Sequence, residues 1–163
     1  MNAGKSGSLA GIAFREAQAD DLPAIVRLLA DDALGRERER YAVPLPDTYR
    51  VAFESIAGDP NNTLIVAVDG ADEIVGVLQL TVIPSLTYQG RSRALIEGVR
   101  IAASMRGRGL GREMFGWATG LARERGCRLL QLTTDKRRPD ALRFYQSLGF
   151  VASHEGMKLE LQD

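Results

Sequence analysis

The stretch from Ala94 to Gly126 constrains the fold of this chain more than any other. It holds a strand-like apolar segment (Ala94–Ala103), then Arg106-Gly107-Arg108-Gly109-Leu110-Gly111-Arg112, then a long helical pattern. Strand, glycine loop and helix in that order make an anion cradle. The first turn of a helix offers unpaired N–H groups and partial positive charge, and glycine lets a ligand approach the backbone. The adjoining arginines add charge-assisted hydrogen bonds suited to phosphates.

The rest of the chain limits what the cradle is for. Its 163 residues fit one domain. Lys plus Arg and Asp plus Glu both number 21, so the arginines near residue 106 are a local feature and no nucleic-acid partner is expected. Cys127 is the single cysteine, which excludes an internal disulfide or a cysteine-rich zinc site; no metal is expected, and a reducing, cytoplasmic setting is. His154 is the single histidine and reads as a surface residue rather than a base. No apolar run is long enough to span a bilayer, so no membrane association is expected. Residues 1–11 are small and polar and read as a flexible tail, with the domain over 12–163.

Taken in order, Ile12–Ala17 reads as a strand and Asp20-Asp21-Leu22-Pro23 as a helix start. Gly35–Arg40 is a charge cluster expected as a solvated loop or helix end. Pro46–Ala57 reads as a helix with Tyr49, Val51, Phe53 and Ile56 as candidate buried residues. Thr63–Val68 and Glu73–Ile83 are strands joined by the hairpin signal Asp69-Gly70-Ala71-Asp72. The helix from Leu110 to Arg125 contains Gly116 and Gly120, which suggest close packing. A strand (Arg128–Thr134), a helix (Pro139–Leu148) and two short strands (Phe150–Ala152, Met157–Leu161) complete the chain. The expected fold is one mixed α/β domain with an antiparallel meander leading into a βαβ crossover.

Glu97 interrupts the apolar face formed by Leu95, Val99 and Ile101 at two-residue spacing. A buried charge must be paired, neutralised or set in a wet cleft. Glu97 therefore reads either as an ion-pair partner of Arg91 or Arg93, or as a general base. The loop is not a P-loop, since no Gly-Lys-Ser/Thr follows, and its glycines at 107, 109 and 111 miss the dinucleotide spacing. Asp135 nevertheless keeps a dinucleotide-binding oxidoreductase open as an alternative. Acyl-coenzyme A is the third ligand class.

Arg106-Gly107-Arg108-Gly109-Leu110-Gly111 resembles the Arg/Gln-x-x-Gly-x-Gly/Ala signature of the GNAT superfamily of N-acetyltransferases. Asp140–Phe150, with Ala141, the Phe144-Tyr145 pair and Leu148-Gly149-Phe150, resembles the family's second motif, and the order of elements agrees. The resemblance implies a splayed central pair of strands and acetyl-CoA as cosubstrate. It implies that the pantetheine arm lies along the backbone of Val99, Arg100 and Ile101. The pyrophosphate would lie on Arg106, Gly107, Arg108, Gly109, Leu110, Gly111 and Arg112, and Ala141 and Phe144 would also contact the cofactor. Glu97 would act as base and Tyr145 as the acid that protonates the departing thiolate. Where many members have asparagine, this chain has Thr133-Thr134-Asp135-Lys136-Arg137-Arg138; Thr134 is expected to replace that contact and Arg138 to reach a phosphate. The implied activity is direct acetyl transfer to a primary amine, on a small molecule or peptide, by a possible homodimer. The Gly35–Pro46 region and the Pro84–Arg91 loop, with Tyr41 and Tyr88, are the expected acceptor surface. A non-catalytic acyl-CoA-binding regulatory module is the other alternative; retention of Glu97 and Tyr145 argues against it.

Overall fold

The nearly continuous apolar runs of the central strands call for a helical layer on each side of a single sheet. The computed structural model describes residues 9–161, so the expected tail lies outside the described residues up to Ser8. In chain order the elements are β1 (Ala13–Glu16), α1 (Leu22–Leu29), α2 (Ala33–Arg38), α3 (Asp47–Ala57), β2 (Asn62–Val68), β3 (Ile74–Ile83), α4 (Thr87–Gly90, a single distorted turn), β4 (Arg93–Ile101), α5 (Leu110–Glu124), β5 (Leu129–Leu132) and α6 (Pro139–Ser147). The sheet order is β1-β2-β3-β4-β5, antiparallel until β4 meets β5 in parallel. This is the expected meander and crossover.

Both faces of β2 and β3 are covered, which is why these strands are almost continuously apolar. Ile65, Leu78 and Leu80 pack with Ile96 under Met114, Phe115, Ala118 and Ala122 of α5. On the other face, Val66, Val68 and Val77 pack under Ile25 and Leu28 of α1. Each fully buried side chain of this size stabilises the fold by about 1.5–3 kcal/mol.

Outside the site, the structure departs from the sequence reading in four places. Leu9, expected in the tail, packs against the Ala67–Val75–Leu110 cluster, and its N–H donates to Glu113 at 2.8 Å. The Gly35–Arg40 cluster is the solvated helix end that was one of its two expected forms: Gly35–Arg38 closes α2, which Asp32 caps by accepting from the Gly35 N–H at 2.6 Å. Val51 is exposed, whereas Tyr49, Phe53 and Ile56 are half-buried; two residues past Tyr49 is about 200° around the helix. Gly116 and Gly120 have nothing within 4 Å of an added Cβ, so close packing does not explain them. Phe150–Ala152 and Met157–Leu161 are not strands: residues 151–161 are exposed and no strand lies along them, so their alternation finds no ladder to join.

Candidate active site

The site begins where β4 leaves β5. The two strands pair only from Arg93↔Leu129 to Ile96↔Leu132, whereas β4 stays paired with β3 as far as Ile101↔Gly76. Beyond Ile96, the flank of β4 that would face β5 has no strand against it among the described residues. The register with β3 breaks at the same point: Gln79 faces Glu97, but Val77 faces Arg100, so β4 carries one extra residue. Gly98 supplies it, at φ 62° and with open space where a Cβ would stand. Only glycine takes this conformation without strain, and a bulge of this kind bends its strand and re-aims the side chains around it.

That bulge corrects the expected face assignment. Val99 and Ile101 pack with Ile96 on the α5 side. Glu97 and Arg100 oppose Gln79 and Val77, which are two residues apart on β3 and so share the α1 face. Glu97 is exposed and has no ion pair or hydrogen bond among the described residues. The expected partnership with Arg91 or Arg93 is therefore not formed, and the carboxylate lines open space.

The glycine loop has the geometry of an anion cradle. Gly107 (φ 73°) and Gly109 (φ 92°) occupy the left-handed region, and neither has an atom within 4 Å of an added Cβ. Gly109 is the N-cap of α5 and no side chain caps the helix there. The first turn's N–H groups thus point at accessible space. Leu110, fully buried, anchors the turn from below. Gly111 serves a different purpose: a Cβ there would meet the Phe144 ring at 3.0 Å, so its absence lets α6 lie close over α5. Arg106 donates from Nε to the Ile101 carbonyl at 3.1 Å and Arg112 from Nη2 to Ser147 Oγ at 3.2 Å, while Arg108 approaches only the Met105 sulfur.

Helix α6 carries Tyr145 to the other side of the opening. Its ring packs against Phe115, Phe144 and Phe150, with centroids 5.5, 5.5 and 6.1 Å away. No protein group among the described residues bonds its hydroxyl. Burial pushes the phenol's pKa above its ordinary value, against the opposing charges of Arg100 and Arg138. Ala141 lies one turn earlier on the same helix face, and Thr134 is half-buried just beyond β5, its side chain with no hydrogen-bond partner among the described residues. Cys127 is buried, which pushes its thiol up and leaves it unsuited to a covalent relay. His154 is exposed.

Residues that the sequence reading did not single out complete the site. Asp32, between α1 and α2, accepts from Arg138 Nη2 at 2.8 Å and lies 3.4 Å from Arg100 Nε. Arg38 of α2 reaches Asp135 at 3.0 Å, and Arg137 shares that carboxylate at 3.0 Å. These bonds join the α1–α2 region to the β5–α6 turn. Arg138, expected on a phosphate, is thus already engaged by Asp32. Burial pushes the Asp32 carboxyl up, but the Gly35 N–H, Arg100 and Arg138 outweigh it and hold the pKa below the usual range. Arg137 holds Asp135 well below that range as well. Arg100 is shifted down, by burial first. Asp32 and Arg138 are 106 positions apart, so no local spacing announces the pair; Asp32 was detectable only as a possible cap ahead of Ala33.

The model of the Acetyltransferase (GNAT) family matches residues 23–150. The chain is 29% identical over 141 residues to the aminoalkylphosphonate N-acetyltransferase of Salmonella typhimurium strain LT2, covering 86% of each chain. It is 35% identical over 88 residues to the glucosamine 6-phosphate N-acetyltransferase of Trypanosoma brucei brucei; that match covers 54% of this chain and 58% of the relative's length. Among solved structures, a protein described as a transcriptional regulator from Bacillus halodurans C-125 is 58% identical, with a TM-score of 0.89 over 92% of this chain and 99% of the other.

Proposed function

Because the chain belongs to the GNAT family of acetyltransferases, we propose that it moves an acetyl group from acetyl-CoA to a primary amine by direct transfer. The observation that carries this reading is the conjunction of an open β4 flank over Glu97–Ile101 with an uncapped, glycine-lined helix start at Gly109. Both features suit acetyl-CoA. The accessible N–H groups of Gly107–Arg112 would hold its pyrophosphate, and the open flank of β4 at Val99–Ile101, whose Val99 and Ile101 carbonyls now accept from Arg100 and Arg106, would take the pantetheine amides. Thr134, Ala141 and Phe144 would border the arm.

Bound there, acetyl-CoA supplies an acetyl group already activated as a thioester. Glu97, exposed and unpaired, accepts the proton that the amine loses as its nitrogen bonds the acetyl carbon. A backbone N–H of the open β4 flank, that of Val99, polarises the acetyl carbonyl. Tyr145 donates its proton to the sulfur as the carbon–sulfur bond breaks. Its raised pKa keeps it protonated at neutral pH, and a phenol near 10 remains a poorer acid than a thiol near 8.5. The rate gain expected from Tyr145 is accordingly at the low end of general acid catalysis, about 10²-fold.

Both curated relatives bear names that specify an amine together with a phosphorus oxyanion, so small amines of that kind are the first acceptors to try. The test is an acetyl-CoA consumption screen across small amines, amino acids and peptides. The reading expects amine-dependent release of CoA and an acetylated product; binding of acetyl-CoA with no transfer to any amine would favour a regulatory module instead.

A further inference from the structure

The Gly98 bulge has placed two opposite charges on one face of one strand. Glu97 and Arg100 oppose residues of β3 that are two apart, a separation of about 7 Å along the strand. Without the extra residue, positions 97 and 100 would fall on opposite faces. The face they share is the α1 face, where the α1–α2 region meets the β5–α6 turn.

Arg100 is poorly satisfied there. Its Nε is buried and makes no hydrogen bond, lying 3.4 Å from Asp32, while Nη1 donates to the carbonyl of the preceding residue, Val99, at 2.8 Å. Asp32 is shared, since Arg138 bonds the same carboxylate at 2.8 Å. Asp135 is likewise shared between Arg38 and Arg137. Glu39 adds a more distant carboxylate, itself bonded by the Tyr49 hydroxyl at 3.0 Å. A guanidinium held out of water with part of a partner is costly, and a further anion would relieve that cost. Its planar fork suits an oxyanion.

We infer that Arg100, with Arg38 and Arg138, forms a subsite for an oxyanion carried by the acceptor, so that the substrate is a small zwitterion. Its amine would sit at Glu97 and its phosphonate, phosphate or carboxylate at Arg100, joined by a short carbon chain. The bulge puts both groups on one face of the strand, with the amine toward the opening and the oxyanion toward the arginines. This inference rests on the assignment of Glu97 as the base in the proposed acetyl transfer.

The experiment compares kcat/KM for 2-aminoethylphosphonate, β-alanine and ethanolamine, three amines with two carbons before the distinguishing group. The expected result is a preference of at least about 30-fold for an anionic amine over ethanolamine; which of the two anions leads identifies the oxyanion. Arg100→Met and the more exposed Arg38→Met should each reduce that preference by about 10-fold or more, and Arg38→Met should leave the Kd for acetyl-CoA unmoved. Arg38→Met keeps the test decisive if Arg100→Met does not fold. Equal kcat/KM for ethanolamine and both anionic amines would overturn the inference while leaving acetyl transfer standing, as would a preference that Arg38→Met and a folded Arg100→Met leave intact. Transfer to no amine at all would overturn the proposed function and this inference together.

Discussion

The two halves of the proposed site are built in opposite ways. The donor half is local: β4, the glycine loop and the start of α5 are consecutive in sequence, and their backbone offers the binding groups. The acceptor half is assembled from a distance, with Asp32 bonded to Arg138 across 106 positions and Arg38 to Asp135 across 97. Backbone recognition tolerates variation in side chains as long as the glycines keep their conformation. Recognition by a shared set of ion pairs depends on every member. Donor binding and acceptor choice should therefore be separable by mutation.

The sharpest separation concerns Glu97. Glu97→Gln should lower kcat/KM for the amine by about 10²- to 10⁴-fold, the usual range for a lost general base, with acetyl-CoA affinity unchanged in a calorimetric titration. An unchanged rate would remove Glu97 from the chemistry. Gly109→Val should do the converse. Valine at φ 92° is strained by about 1–3 kcal/mol and its branches cover the cradle. Acetyl-CoA should bind about 100-fold more weakly, or about 2.8 kcal/mol, in a domain that circular dichroism still reports as folded. Tyr145→Phe belongs to neither half; it should slow turnover by about 10²-fold without altering acetyl-CoA affinity, and unchanged turnover would reduce Tyr145 to packing among Phe115, Phe144 and Phe150.

Legibility in the sequence follows the same division. The meander, the crossover and the glycine loop rest on strand alternation, turn residues and helix caps, all of which are short-range signals, and each is found where expected. Glu97 and Tyr145 were identifiable as candidates by residue type and motif. The bulge was not: Gly98 looks like an ordinary strand glycine, and two-residue spacing then assigns Val99 and Ile101 to the wrong face. The Asp32–Arg138 and Arg38–Asp135 bonds were also hidden, because ion pairs between distant segments leave no periodicity. The final segment misled in the other direction, since Met157, Leu159 and Leu161 alternate like a strand but remain exposed, with no strand paired to them among the described residues.

The smallest predicted effect concerns stability. Asp32→Asn removes the ion pairs while asparagine still caps α2, which should cost about 1–3 kcal/mol in chemical denaturation. The Asp32 carboxyl has a folded pKa below its ordinary value. Its contribution is therefore complete above the ordinary carboxylate pKa, near 4, and is lost as pH falls through the lower folded value. The difference in stability between wild type and Asp32→Asn should narrow as pH falls below about 4; a difference that stays constant would show that the charge of Asp32 contributes nothing.

In the proposed function, the loop from Arg106 to Arg112 holds acetyl-CoA. Calorimetric titration of the wild-type protein and Gly109→Val with acetyl-CoA, and separately with NAD, tests it directly. The account predicts saturable binding of acetyl-CoA that weakens about 100-fold in the variant, and no comparable binding of NAD. Binding of NAD without acetyl-CoA, or equal affinity for acetyl-CoA in both proteins, would contradict it.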